Sequence, residues 1–300
     1  MQIALLNMVV IYMKTVNSLS GGKTSSYIAA NYPADYNVFA LVRTNDKNCM
    51  FPDKKIRQEV SDRIGTEFIG TLEDDMIIYT MLDLEQMIGK KIDWITGKPF
   101  DEVIFDKGKG KQIYLPQSNM RFCTTEMKIN PIAQYCYHKG LPCEMRIGFR
   151  ANETKRANTS LSKTDKNGMQ HFKFNIGYHK NGDKKWKELP YRRFSFPLIE
   201  DRIFKDNIEQ YWKDKPVRFA WVNNCVGCMG ATPFYLKHQY KKNKNKIEWF
   251  IEQEKKSKKL GMDRTWRIDK LTYQEIINYN EQYELFDDDF NDCDSGYCGL

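Results

Sequence analysis

Apolar residues in this chain fall in short runs separated by polar, glycine-bearing stretches, and the period of the pattern changes along the sequence. Thr15 and Val16 make a β-branched start, Val38-Phe39-Ala40-Leu41-Val42 is a continuous apolar run, and Glu67-Phe68-Ile69-Gly70 is a third short one. Continuous runs of this length suit strands buried on both faces. Between them the spacing turns helical, around Lys54–Ile64 and again over 72–88, where Ile77, Met81, Leu84 and Ile88 recur at three- and four-residue steps before Gly89. Residues 143–150 read as a strand that delivers Arg150 at its end, Phe196-Pro197-Leu198-Ile199 re-enters the core, and 206–212 and the lysine-rich stretch around 255–259 read as helices. Strands alternating with helices predict an α/β fold with a doubly wound, mainly parallel sheet, whose ligand sits at the carboxyl ends of the strands.

The polar, lysine-rich stretch from about 154 to 190, with Gly168, Gly177 and Gly182, reads as a mobile loop or a short hairpin over the site, or as a solvated insertion. The division expected is a nucleotide-binding domain over 14–200 and a helical C-terminal region over 201–300, which ends in an acidic, glycine-containing tail with Cys293 and Cys298.

Forty-seven Lys and Arg against 39 Asp and Glu leave a net charge of +8, compatible with an anionic partner such as nucleic acid or nucleotide. Residues 1–13 are apolar but fall short of the roughly 20 a spanning helix needs, and they lack the basic start and cleavage site of a secretory signal. They read as an edge strand or as sequence upstream of a true start at Met13. No other segment is apolar enough to cross a membrane, so no membrane partner is expected. Eight cysteines without a secretory signal point to a reducing, cytoplasmic setting, where Cys225-Val226-Gly227-Cys228 is a metal or redox pair.

The chemistry begins at 18–25, Ser-Leu-Ser-Gly-Gly-Lys-Thr-Ser, between the first strand and the apolar helix start Tyr27-Ile28-Ala29-Ala30. A strand that ends in paired glycines and opens a helix gathers backbone N–H groups and a helix N-terminus at one point, which binds phosphate. Gly21 and Gly22 let the backbone approach the anion, Lys23 adds a positive charge, and Ser18, Ser20, Thr24 and Ser25 add hydroxyls. A Walker A loop would need a glycine where Asn17 stands, whereas S-G-G-x-x-S fits from Ser20 to Ser25 without a gap.

A second segment, Arg121-Phe122-Cys123 followed by Lys128, places a cysteine among cations that favour its thiolate. Together with Cys225 and Cys228 it offers three thiolates, suited to an iron–sulfur cluster, with zinc as the alternative. Cys49, Cys136 and Cys143, and His138, His171, His179 and His238, have no ligand spacing and read as structural.

The order S-G-G-x-x-S, R-F-C-T-x-E-x-K-x-x-P, I-G-F-R-A-N-E-x-x-R, F-P-L-I-E-D and N-C-x-x-C, over roughly 15–230, resembles the phosphoadenosine phosphosulfate (PAPS) reductase-like family of the PP-loop ATP pyrophosphatases. The resemblance implies an adenine nucleotide α-hydrolase-like fold. It implies phosphate binding by the loop with Lys128, Arg150, Glu153 and Arg156, and a cluster, of the 4Fe-4S type, held by Cys123, Cys225 and Cys228. ATP and Mg²⁺ are the further cofactors implied. The activity implied is cleavage of ATP to AMP and pyrophosphate, with Lys23 stabilising the leaving group, to activate tRNA or DNA for sulfur transfer from a sulfur donor. Thr24 departs from the pattern, which has an acidic residue there.

Two alternatives stand beside that activity. The ending Tyr297-Cys298-Gly299-Leu300 is similar to the reductases' catalytic E-C-G-L-H ending, which implies reduction of adenylyl sulfate or its 3′-phosphate through Cys298, with Cys293 or a thioredoxin-like reductant resolving the intermediate. The third reading is a nucleotide-binding module without turnover.

Overall fold

The protein is described by a computed structural model that covers residues 13–105, 112–221 and 223–279. Its strands are β1 (Lys14–Leu19), β2 (Tyr36–Leu41), β3 (Ile92–Thr96), β4 (Cys143–Arg146), β5 (Met169–Tyr178) and β6 (Lys184–Ser195). They form one sheet in the order β3-β2-β1-β4-β6-β5, parallel throughout except for β5 on the outer edge. From β1 the chain steps outward through β2 to β3 and then returns to the other side of β1 as β4. The strand order therefore reverses between β1 and β4, the place where open α/β sheets bind ligands.

The helices α1 (Lys23–Asn31), α2 (Lys54–Ile64), α3 (Met76–Ile88), α4 (Phe100–Phe105), α5 (Phe122–Thr124), α6 (Asn130–Lys139), α7 (Thr154–Leu161), α8 (Pro197–Glu200), α9 (Lys205–Trp212), α10 (Pro233–Lys242), α11 (Lys244–Lys259) and α12 (Tyr273–Asn278) complete the fold. Alternate residues of β2 face opposite layers. Phe39 and Leu41 pack with Ile28, Val60, Ile77 and Met81 of α1–α3 and with Ile208 and Trp212 of α9, while Val38 and Ala40 pack with Ile132 and Ala133 of α6. Helices thus cover both faces, as a doubly wound sheet requires, and the fold class is α/β. A third core joins α4, α5 and the helices α10–α12 to residues beyond the carboxyl ends of the strands, Val42 and Leu72 among them. No helix among the described residues is long and apolar enough to cross a membrane.

Local signals explain most boundaries. The Asp53 carboxylate accepts from the Lys55 and Ile56 amides and caps α2, and Gly65 and Gly89 end α2 and α3 in the left-handed conformation (φ +67° and +61°). Three expectations are corrected. Residues 67–70 are not a sheet strand: Gly70 forms only isolated antiparallel bridges with Thr44 and Met50, and its Cα lies so close to the Cys49 carbonyl that a Cβ would fall 1.9 Å from it. The third parallel strand is β3 instead. Arg150 does not end a strand, since β4 stops at Arg146 and the chain turns at Gly148, where the Phe149 N–H donates to the Ile147 carbonyl (2.9 Å).

The third correction concerns 154–190, which is a helix followed by a β-hairpin whose tip points away from the predicted site. β6 runs parallel to β4 and meets it only over 192–195, so its earlier residues extend past the amino edge of the sheet. Residues 1–12, Cys293, Cys298 and the rest of the tail lie outside the described residues.

Glu254 of α11 is buried and its carboxylate accepts from the backbone N–H groups of Trp266 (3.1 Å) and Tyr273 (2.9 Å), fastening the last described segment to the helix. Burial pushes its pKa up to about 7, against the two amides that favour the charged form. Between about pH 4.5 and 7 the unfolded carboxyl ionises while the folded one stays protonated, so stability present below that window is lost as pH rises through it. The change from Glu254 is on the order of 3 kcal/mol. Thermal melts at pH 4.5 to 8 should show this decline, and Glu254→Gln should flatten it. An unchanged slope in the variant would assign the decline to other groups.

Candidate functional site

β1 ends at Leu19 and α1 begins at Lys23, so Ser20, Gly21 and Gly22 make the whole turn. Gly21 has φ +83°, and a Cβ on it would lie 2.5 Å from Ile77 Cγ2 of α3. A Cβ on Gly22 would lie 2.0 Å from Asn223 Nδ2. Gly21 admits only glycine as the backbone stands, whereas a side chain at position 22 would have to displace the Asn223 carboxamide. The turn is tied by side chains: the Ser20 N–H donates to Ser25 Oγ (3.1 Å), the two serine hydroxyls are 3.1 Å apart, and Ser25 Oγ donates to the Gly22 carbonyl (3.1 Å). The first intrahelical bond runs from Ser26 N–H to Gly22 O, so the amides before it belong to the open N-terminal turn of α1. Ser18, Ser20, Thr24 and Ser25 are all buried around this turn.

Lys23 does not reach across the loop. Its ammonium pairs with Glu209 of α9, and its carbonyl accepts from Trp212 Nε1 (2.9 Å). Both partners of the ion pair are a third or more exposed, and such pairs contribute little, so an anion at the loop could compete for the ammonium.

The extension of β4 lies against the loop. A Cβ on Gly148 would approach Thr24 Cγ2 to 3.3 Å and the Ser25 amide to 3.6 Å. Two residues on, Arg150 donates from both its backbone N–H (2.8 Å) and Nε (3.0 Å) to Glu153 Oε2, while the Arg156 guanidinium pairs with Oε1 and lies 4.5 Å over the Phe149 ring. Burial alone would raise the Glu153 pKa, but the Arg150 amide and the two guanidinium groups outweigh it and hold the carboxyl below the usual range. Arg150, Glu153 and Arg156 are thus one pre-organised, partly buried cluster beside the loop.

Cys123 sits in the short helix α5, Lys128 in the π-helical turn Thr125–Ile129 that follows it, and Cys225 and Cys228 in a turn closed by the Cys228 N–H donating to the Cys225 carbonyl (3.0 Å). That turn is stitched to the segment before α3: Val226 N–H donates to Leu72 O (2.9 Å), and Cys225 bridges Glu73. The three cysteines, Glu73, Arg121 and Lys128 line one cavity of about 50 Å³, floored by Phe250. Lys128 is paired there with Glu73 Oε1 (2.7 Å), in the cysteine cavity rather than with Arg150. Glu73 is 1% exposed and its other oxygen, Oε2, has no hydrogen-bond partner among the described residues.

The thiolate expected of Cys123 is overturned. Burial raises its pKa, and the Thr124 hydrogen bonds, Lys128 and Arg121 do not offset it. Burial also holds the Cys225 thiol well above its ordinary value, reinforced by Glu73 and by the other two sulfurs. Cys49, Cys136 and Cys143 are buried in the cores, as expected of structural residues.

The chemistry of the donors fits a thiophilic metal or an iron–sulfur cluster: three sulfurs on the wall of one cavity, with a lysine to offset thiolate charge. They are not drawn into a closed ligand set, and among the described residues no three His, Cys, Asp or Glu side chains form a group arranged to hold a metal ion.

Asn223, which pattern reading passed over, joins the two regions. Its side chain rests on Gly22 of the loop, and two residues later Cys225 lines the cysteine cavity. Glu73 is the other residue missed. Neither stands in a recognisable spacing, and only the adjacency of Asn223 to the C-x-x-C hinted at a role. The loop, the cluster at 150–156 and the cysteine cavity all lie beyond the carboxyl ends of the strands. No protein-family model, curated protein or solved structure matches this chain.

Proposed function

We propose that this chain is a PP-loop enzyme of the PAPS reductase-like kind, with an adenine nucleotide α-hydrolase-like fold, that cleaves ATP to AMP and pyrophosphate to activate an acceptor in tRNA or DNA for sulfur transfer. The observation that carries this reading is the junction at Asn223, which sets the glycine loop against the turn that holds Cys225 and Cys228. A nucleotide seated on the loop is then next to the thiol-lined cavity.

In this reading the amides of the Ser20–Ser25 turn and the first turn of α1 receive the phosphates. As the acceptor oxygen attacks the α-phosphorus and the bond to pyrophosphate breaks, those fixed dipoles stabilise charge on the leaving group, and attack of the sulfur on the adenylated acceptor then displaces AMP; Mg²⁺, when bound, would share the pyrophosphate charge. Lys23, released from Glu209, adds its charge there. Arg150 and Arg156, oriented by Glu153, offer planar donors to phosphate oxygens. Cys123, Cys225 and Cys228 would hold the cluster, which when bound supplies the site for the transferred sulfur; Lys128 balances their charge. Buried neutral thiols must lose protons to ligate, so loading should be favoured by rising pH.

The test is pyrophosphate release from ATP and Mg²⁺ by anaerobically prepared protein, with and without tRNA or DNA, alongside iron and sulfide counts. Release stimulated by nucleic acid, with iron bound and lost together when Cys225 is replaced by Ala, is the expected outcome. Absence of release with every nucleic acid tried would sink the reading.

A further inference from the structure

The hairpin formed by β5 and β6 has no part in the site described above. Arg192–Ser195 of β6 pair with β4, but from Tyr191 back to Lys184 the strand pairs with β5 alone. The free part of the hairpin is a two-stranded ribbon that projects roughly 26 Å past the amino edge of the sheet, taking about 3.3 Å for each of eight residues.

Near its root the ribbon buries Phe174 and Tyr191 against the core, and toward its tip almost every residue is exposed. Cross-strand partners share a face. Asn175 lies opposite Trp186 and Tyr178 opposite Lys184, so Tyr178, Lys184, Trp186 and, two pairs further in, Lys173 with Glu188 opposite it line the same side. Trp186 is 57% exposed and Tyr178 67%. Lys185 and Lys187 alternate onto the other face of the ribbon, Lys180 stands in the turn between the strands, and residues 173–188 hold five lysines against Asp183 and Glu188. Among the described residues none of these five lysines is engaged in an ion pair.

Exposed apolar side chains are ordinary when scattered singly, but here two aromatic rings share one face of a lysine-rich ribbon, and lysines alone would suffice to protect a sheet edge from pairing. We infer that this ribbon is a docking surface for single-stranded nucleic acid, with Trp186 and Tyr178 stacking on unpaired bases and the lysines following the phosphates. The combination is what a sequence-tolerant single-strand platform uses: π-faces for any base and cations for the backbone. The two rings sit diagonally across the strands, where neighbours are about 7–8 Å apart, so each can take its own base. The inference rests on the ribbon alone and not on the nucleotide chemistry proposed above. It is tested without ATP, so that failure of one does not decide the other.

The experiment is fluorescence anisotropy of a labelled 12-nucleotide single strand, and of the same sequence as a duplex, titrated with the full chain at several salt concentrations. The single strand should bind more tightly than the duplex. Trp186→Ala should weaken binding about tenfold and Trp186→Phe should retain most of it. The triple change Lys173→Glu, Lys180→Glu, Lys184→Glu, on the aromatic face and at the tip, should weaken it further and flatten the log–log salt slope by about 2, near 0.7 per lost phosphate contact. Because these side chains are exposed, thermal melts of all variants should match the parent. Binding unaltered in Trp186→Ala and in the triple variant would overturn the inference. So would equal affinity for the duplex, or concentration-dependent self-association abolished by the same changes without any oligonucleotide binding, which would assign the ribbon to a second copy of the chain.

Discussion

Gly21→Ala should lower ATP binding and pyrophosphate release by at least about a hundredfold and destabilise the protein by about 2–5 kcal/mol. Two costs combine. The residue has φ +83°, where a side chain is strained, and the new methyl would stand 2.5 Å from Ile77 Cγ2, well inside the separation of about 3.5–4 Å at which carbon atoms attract. The backbone can relieve both only by turning the Gly21 and Gly22 amides away from the mouth of α1, which removes the donors that the proposed phosphate site consists of.

Controls separate strain from overlap. Adding Ile77→Ala to Gly21→Ala removes Cγ2 and Cγ1 but leaves the unfavourable φ, so the double variant should lose less stability than its two changes summed and regain little of the nucleotide binding. Gly148→Ala, whose methyl would meet Thr24 Cγ2 at 3.3 Å with no backbone strain, should cost only a fewfold in affinity. Calorimetric ATP titration with parallel thermal melts reads all three. If Gly21→Ala is destabilised yet binds ATP as well as the parent, the loop is not where the phosphates go.

The parts of this fold that are legible in the sequence are those decided locally. The apolar run ending at Val42, the i, i+3/i+4 stripe through Ile77, Met81 and Leu84 and the stop at Gly89 each satisfy their own burial and capping requirements and are found where expected, although the helix expected from residue 72 begins only at Met76. The glycine turn is legible for the same reason, because only glycine tolerates its conformation. What fails depends on partners far away in the chain. Residues 67–70 have the composition of a strand, but Gly70 is held between Thr44 and Met50 rather than in the sheet. The hairpin's direction depends on which end of β6 meets β4, a matter of register that composition does not express.

The electrostatics of Cys123 fail for a related reason. Arg121 and Lys128 are near in sequence and argue for a thiolate, but the degree of burial, set by Phe250 and the Cys225–Cys228 turn packed over it, decides the opposite. Glu73 could not be singled out at all: its importance comes from being closed into a cavity by residues some 55 and 150 positions later in the chain.

That enclosure yields the second large effect. Lys128→Met should destabilise the protein by about 3–5 kcal/mol at pH 8, the usual consequence of leaving one member of a buried ion pair without the other. Glu73 is 1% exposed, its Oε1 takes the lysine ammonium at 2.7 Å, and its Oε2 already lacks a hydrogen-bond partner among the described residues. Methionine keeps most of the stem volume, so the loss is one of charge and hydrogen bonding rather than packing.

Glu73→Gln should cost less by itself, and in combination with Lys128→Met it should restore most of what the lysine change removed, because the double variant buries no unpaired charge. The same pair reports on the cysteines. If Lys128 offsets thiolate charge, Lys128→Met should also weaken iron or zinc loading of Cys123, Cys225 and Cys228, and Glu73→Gln should strengthen it by removing an anion that opposes their deprotonation. Denaturant titrations of the four proteins at pH 5 and pH 8, with metal content measured on the same samples, give both readings. A Lys128→Met protein as stable as the parent at pH 8 would show that other groups in the cavity wall take over the Glu73 charge, and would remove the lysine from any account of how the three thiols are held.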